Sequence, residues 1–364
     1  RPRRGLVGER RLETNRGGIT GEMGVTGVSW RYLGERVVIF VATVVISVTV
    51  VFIVPRIVPG DPLGAVFAKM AAVAGGSTVS EELVAEYRQR FGLDQPLWQQ
   101  YVSYLREVGG GNLGYSIASF PTHVATLLGS AIPWTVGLLS VTTLISWLLG
   151  SLLGAVVGWT GGRSRFLQGL VPLALVLYTT PYYILAIILV YLFAFYWPIF
   201  PLSGAYPAGM QPELTLAFAG EVVRHGALPA LSIILVSLGW WFLSMRSLII
   251  AEQGQDYILW AEAKGLPRRR IFWNYAFRNA LLPQTTGLAL SLGHIVGGAL
   301  ITEAIFGYPG LGYLIYNSIK SLDFPVIQGS ILLLIVSVAL INFVLDLVYP
   351  LIDPRIRADA AGRS

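Results

Sequence analysis

Six stretches of this chain are apolar for long enough to cross a lipid bilayer, and that constrains its fold more than any other feature. A bilayer core is about 30 Å thick, so a spanning helix needs on the order of 20 predominantly apolar residues without charge. The stretches are 37–54, the part 134–157 of the uncharged run 124–162, then 166–196, 226–245, 283–303 and 324–345. The third is long and contains Pro181, which predicts one tilted or kinked helix, with a tight pair as the alternative. The expected fold class is an all-α polytopic membrane protein of six transmembrane helices.

Composition and charge placement agree. Hydrophobic residues make up 54% of the chain and charged residues 13%, against about 45–50% and about 25% in soluble domains. Lys and Arg accumulate in short cytoplasmic segments. With the N-terminus inside, the cytoplasmic segments collect the Arg residues before Val37, then Arg163, Arg165, the group from Arg246 to Arg278, and Arg355, Arg357 and Arg363. Splitting the third stretch into two crossings moves the Arg246 to Arg278 group outside, so the asymmetry favours six. The pI near 9.5 therefore reads as an orientation signal, and no nucleic-acid partner follows from it. Cysteine is absent, which excludes disulfides and thiolate metal sites. The first stretch continues for a full spanning length without an Ala-x-Ala pattern and reads as an anchor in a cell membrane, not a signal peptide.

These features divide the chain into a cytoplasmic, largely disordered N-terminal arm (1–36), a first transmembrane helix (37–54), an external cap segment (55–132), a permease-like core of five helices (133–349) and a cytoplasmic tail (350–364). Within the cap, Ser80 to Arg90 has the pattern of a short amphipathic helix capped by Ser80. Pro198, Pro201 and Pro207 make the segment 197–212 an external loop. Gly150, Gly154 and Gly158 recur every four residues, as do Gly293 and Gly297, a spacing that permits close helix packing.

The segment 247–282 between the fourth and fifth stretches is the most informative. Tyr257 to Gly265 reads as a helix stopped by Gly265 and Pro267, and Arg268, Arg269 and Arg270 open a second, amphipathic helix that leads to Asn279-Ala-Leu-Leu-Pro283. A solvated basic loop is the plainer account of such a segment; a shaped docking surface is the other. Ala261-Glu262-Ala263-Lys264-Gly265 with the Asn279 to Pro283 closure resembles the coupling loop, or EAA loop, of ABC importer permeases. The spacing between Gly265 and Pro283 is similar to that of the dipeptide/oligopeptide/nickel permease family. Pro59-Gly-Asp-Pro62, Gly111-Asn-Leu-Gly-Tyr-Ser116, Glu303-Ala-Ile-Phe-Gly-Tyr-Pro-Gly-Leu-Gly312 and Asp353-Pro-Arg-Ile-Arg357 resemble that family's first permease subunit. The resemblance covers roughly residues 31–357, and the arm before it departs from the family pattern.

The resemblance implies a permease without a catalytic site, coupled to ATP hydrolysis elsewhere. Glu262, Ala263 and Gly265 would form the docking turn, flanked by Arg268, Arg269 and Arg270. The implied partners are a second homologous permease subunit, two ABC ATPase subunits that hold ATP and Mg, and an extracellular solute-binding protein. None of the lysines, Lys69, Lys264 and Lys320, follows a glycine as a P-loop requires, so this chain binds no cofactor of its own. His123, His225 and His294 lack metal-ligand spacing. His294 and Glu303 are the ionisable groups expected at membrane depth, where such groups face a cavity or a partner. Glu303, just before Gly307-Tyr-Pro-Gly310, is expected to pin an external re-entrant loop, and Trp240 and Trp241 offer rings for stacking on cargo or for packing. Oligopeptides and oligosaccharides both suit the family, with nickel as a further alternative that the lack of Cys and scarcity of His disfavour. A stand-alone secondary carrier would need internal repeats and carboxylates at helix centres, and most acids here lie in loops.

Overall fold

The computed structural model describes residues 30–57, 94–161, 165–213, 215–293, 295 and 299–352. The N-terminal arm up to residue 29, the Ser80 to Arg90 segment, the end of the chain from 353 and His294 lie outside the described residues. The described chain is helical, apart from turns and one isolated bridge between Tyr115 and His123. In order the helices are α1 (Trp30–Ile57), α2 (Leu97–Gly109), α3 (Val124–Thr160), α4 (Arg165–Thr179), α5 (Tyr182–Val190), α6 (Leu216–Gln253), α7 (Asp256–Ala263), α8 (Arg268–Ile271), α9 (Arg278–Gly293), α10 (Leu300–Ile305), α11 (Leu311–Lys320) and α12 (Phe324–Ile352).

Among the described residues four helices are long and apolar enough to cross a membrane, over Tyr32–Val54, Val124–Thr160, Leu216–Gln253 and Phe324–Leu347. The third stretch is not one gently kinked helix. It breaks into α4 and α5, which meet at 97°. Pro181 brings no N–H to continue α4, and the hydroxyls of Thr179 and Thr180 turn back onto the carbonyls of Leu175 and Val176. The fifth stretch also departs from expectation: α9 ends at Gly293 and the chain resumes as the short α10, so the span expected over 283–303 is not one continuous helix.

Helices α3 and α6 have 37 and 38 residues, about 55 Å at 1.5 Å per residue, well beyond a bilayer core. The start of α6 and the end of α3 are set by caps. Thr215 accepts the Phe218 N–H at the start of α6, and Gly161 ends α3 in the left-handed conformation at φ 56°. Helix α3 begins at Val124, inside the segment assigned from sequence to the external cap.

The glycine ladder on α3 faces α6. A methyl group at Gly150 would lie 2.6 Å from Trp241 Cβ, one at Gly154 would collide with the Phe242 carbonyl, and one at Gly158 would lie 2.9 Å from the Arg246 carbonyl. On the other side of α6, Gly239 meets the Ala174 carbonyl of α4 at 2.6 Å in the same sense. Backbone approach of this kind lets dispersion and weak polar contacts hold helices together where lipid removes the hydrophobic driving force.

The chain forms two compact units, Arg1–Ala42 with Asn342–Ser364, and Thr43–Ile341. In the first, Tyr32 donates to the Asp346 carbonyl at 3.0 Å and Arg36 pairs with the Asp346 carboxylate at 3.1 Å. In the second, the segment before α3 is fastened to the turn between α11 and α12. Asp323, buried in that turn, accepts from the Ser116 hydroxyl and from the amides of Ile117 and Ala118, the latter two at 3.1 Å. Leu322 precedes it at φ 53°, a left-handed position that aims the following carboxylate back at the loop. The segment 198–213 is irregular as expected, and its Gly204 amide donates to the Phe306 carbonyl at 2.9 Å.

Candidate coupling loop and buried carboxylate

Between α6 and α9 the chain folds into a platform with a buried underside and a charged, exposed top. Asp256 opens α7 where a carboxylate complements the helix dipole. The helix ends in a Schellman motif: the Gly265 amide bonds the Glu262 carbonyl at 2.9 Å, the Leu266 amide bonds the Ala261 carbonyl at 3.3 Å, and Gly265 takes φ 75°. Pro267 then caps α8, which passes through a π-helical turn, Phe272–Phe277, into α9. The underside is apolar, with Ile258, Ala261, Ile271 and Phe272 buried against Met245 and Ile249 of α6. Gln253 Nε2 donates to the Gly158 carbonyl at 2.8 Å, tying the start of the loop to the end of α3.

Glu262, Ala263, Gly265, Arg268, Arg269 and Arg270 are all exposed. Sequence reasoning missed two exposed tryptophans beside them, Trp260 at 71% and Trp273 at 42% exposure. The signal was there: Ile258 and Ala261 define the buried stripe of α7, and Trp260 falls off it. A second missed group lies beneath the loop, where α9 is stitched into the bundle. Buried Gln284 donates to the Ser244 hydroxyl of α6 at 2.9 Å, and Trp147 Nε1 of α3 donates to the Gln284 carbonyl at 3.2 Å.

Of the gate candidates, Trp240, Trp241 and Glu303 are described, and each sits in a different setting. Trp241 is buried, with its ring 3.4 Å from a methyl placed on Gly287, and is a packing residue of the α3–α6–α9 contact. Trp240 is exposed and lies against Tyr178 with ring centroids 5.6 Å apart. Glu303, in contrast, is fully buried. Its Oε2 accepts the Gly312 amide at 2.6 Å, next to Thr135 of α3, whose hydroxyl oxygen accepts the Leu311 amide at 2.8 Å. The N-terminus of α11 is thus held by a carboxylate and a hydroxyl, both suited to its free N–H groups. Only glycine fits at 310, since a Cβ there would meet the Glu303 carboxylate and lie 2.5 Å from the Thr135 hydroxyl. Glu303 Oε1 has no hydrogen-bond partner among the described residues.

Replacing Glu303 by alanine leaves the Gly312 amide buried and unpaired, a cost of about 1–3 kcal/mol. The variant is expected to insert but to melt several degrees below the parent in detergent, with Glu303→Gln closer to the parent; unchanged melting of Glu303→Ala would remove the carboxylate from the support of α11.

The family described as binding-protein-dependent transport system inner membrane component matches residues 150–358, and a companion N-terminal family of such membrane components matches residues 29–132. A probable D,D-dipeptide transport system permease protein of Escherichia coli (strain K12) is 34% identical over 343 residues, covering 90% of this chain and 97% of that protein. A di/tripeptide transport system permease protein of Pseudomonas aeruginosa (strain UCBPP-PA14) is 31% identical over 90% of this chain and 98% of its own length. The dipeptide transport system permease protein of Escherichia coli (strain K12) is 31% identical with the same shares covered. With multiple apolar helices, a glycine-packed bundle and matches along nearly its whole length, the chain belongs to the family of binding-protein-dependent transport system inner membrane components, multi-pass permease subunits of ABC transporters.

Proposed function

We propose that this chain forms half of the translocation pathway of an ATP-driven importer of short peptides. The observation that carries the coupling half of this proposal is the loop from α7 to α9, exposed and charged above, apolar and fixed to α3 and α6 below. A surface that is rigidly backed transmits force, and one left exposed beside three consecutive arginines suits an acidic partner. The partner is a separate ABC ATPase that holds ATP and Mg, one of a pair, with Glu262, Ala263 and Gly265 at the contact and Arg268, Arg269 and Arg270 around it. ATP biases the permease only if this contact differs between its two states. The loop is then cytoplasmic, as are both termini. The opposite face, with the 55–132 cap, receives an extracellular solute-binding protein, and a second homologous permease completes the pathway.

Peptide cargo is favoured over oligosaccharides or nickel because the similar permeases bear di- and tripeptide names. Among the described residues no cluster of His, Cys, Asp and Glu suits a metal ion. The test is uptake by the reconstituted complex with its own binding protein, offered labelled di- and tripeptides, oligosaccharides and Ni²⁺. ATP-dependent accumulation of peptide alone is expected. Accumulation of sugar or nickel instead would replace the cargo, and uptake by this chain without the ATPase would identify a secondary carrier.

A further inference from the structure

Helix α2 is amphipathic in a way that its contacts with the other described residues do not account for. Its thirteen residues present three faces. Tyr101, Tyr104 and Val108 are half-buried. Tyr101 and Tyr104 lie against Phe52 of α1, with ring centroids 5.1 and 5.4 Å away, and the Tyr101 hydroxyl is 2.8 Å from that of Thr49. At 100° per residue, Trp98, Val102 and Leu105 fall within about 60° of one another on the neighbouring face. All three are exposed, Trp98 at 65%. The far side carries Gln99, Ser103, Arg106 and Glu107. One face is therefore spent on α1, one is polar, and the apolar stripe between them has no cover among the described residues.

The depth of α2 identifies what covers that stripe. The apolar span of α1 runs Tyr32–Val54, and Thr49 lies five residues before its end, about 7 Å along the axis. Contact with Thr49 and Phe52 places α2 at the margin of the hydrocarbon. Next to that contact α1 shows an exposed apolar face of Val50, Ile53, Val54 and Ile57, spaced as one helical stripe and continuous in depth with the stripe on α2. An amphipathic helix lying in an interface buries its apolar face about 5–10 Å into the boundary between headgroups and acyl chains, and Trp and Tyr concentrate at that level.

We infer that α2 is an interfacial helix that lies in the bilayer surface at the Val54 end of α1, with Trp98, Val102 and Leu105 inserted into the lipid and Gln99, Ser103 and Glu107 facing water. The occupant of the stripe is the lipid surface itself. The helix then fixes the height of the segment that leads to the Asp323-anchored loop and α3. This inference stands apart from cargo and coupling.

The absence of cysteine makes the test direct. Single variants W98C, V102C, L105C, Q99C, S103C and E107C carry a nitroxide in the assembled complex, with partner cysteines replaced, in nanodiscs of phosphatidylethanolamine and phosphatidylglycerol. Relaxation by oxygen, which partitions into lipid, is compared with relaxation by a water-soluble nickel chelate. The oxygen-to-nickel ratio is expected to be several-fold higher at 98, 102 and 105 than at 99, 103 and 107. All six positions are partly or fully exposed, so the label costs little folding energy. Nickel access at 98, 102 and 105 overturns the inference, as does shielding of those three from both reagents, which would mark a protein partner. Loss of nickel access on adding the binding protein would reassign the stripe to that protein.

Discussion

A valine at Gly265 is expected to reduce ATP-driven uptake by more than tenfold while the protein still inserts and folds. Gly265 ends α7 at φ 75°, and apart from its own stretch of chain nothing lies within 4 Å of a Cβ placed there. Valine therefore meets no collision, only the left-handed penalty of roughly 1–2 kcal/mol, which a large bundle survives. The penalty is relieved by abandoning the Schellman turn, which swings α8 and its three arginines away from α7. The docking surface is then present but misshapen. Gly265→Asn supplies the internal control, because asparagine tolerates the left-handed region. It should retain much of the uptake that valine loses, with basal ATP hydrolysis similar in both. Normal uptake by the valine variant would show that the shape of this turn is irrelevant to transport.

The second large effect concerns assembly of the bundle. Leucine at Gly154 adds apolar surface and leaves the hydropathy of α3 intact, so membrane insertion is not the step at risk. The Cβ alone collides with the Phe242 backbone on α6, and backbone on both sides cannot yield as a flexible side chain would. The cost exceeds the usual 1–3 kcal/mol of core overpacking, and the variant should reach the membrane yet be degraded or fail to co-purify with its partners. The neighbouring Leu153, about 100° round α3 and exposed, is the comparison: Leu153→Ala should change stability by about 0.5 kcal/mol or less. Equal accumulation of Gly154→Leu and the parent would mean that α3 and α6 are not held this closely in the membrane.

What could be read from the residues was whatever local spacing determines. Apolar length marked α1, α3, α6 and α12, glycine spacing marked the face of α3 that meets α6, and Gly265 with Pro267 marked the end of α7 and the start of α8. Helix ends were harder, because α6 runs on at both ends through charged residues such as Glu221, Arg224, Arg246 and Glu252, and hydropathy is silent about that. The break at Pro181 was located but its 97° turn was not, since a proline permits a range of bends and the packing of α4 against Gly239 selects one. Asp323 was invisible: its partners are more than 200 residues away in the chain, and nothing near an isolated Asp tells a solvated turn from a buried anchor. Gln284 was hidden in the same way, as a polar residue whose meaning depends on Ser244 and Trp147. Glu303 could be singled out because a carboxylate next to a long apolar run is costly wherever it goes. Its role as the support of α11 needed the fold.

The account turns on the loop from α7 to α9 meeting a separate ATPase. Ala263→Cys, introduced into a chain with no other cysteine, places a single thiol at the centre of the exposed turn. In the assembled complex a short bifunctional maleimide should join it to a cysteine on the ATPase surface, with a yield that changes when ATP is added, and the ATPase should shield it from a bulky water-soluble maleimide. If Ala263→Cys stays fully reactive in the active complex and no ATPase cross-link forms with or without ATP, the loop is not the coupling surface.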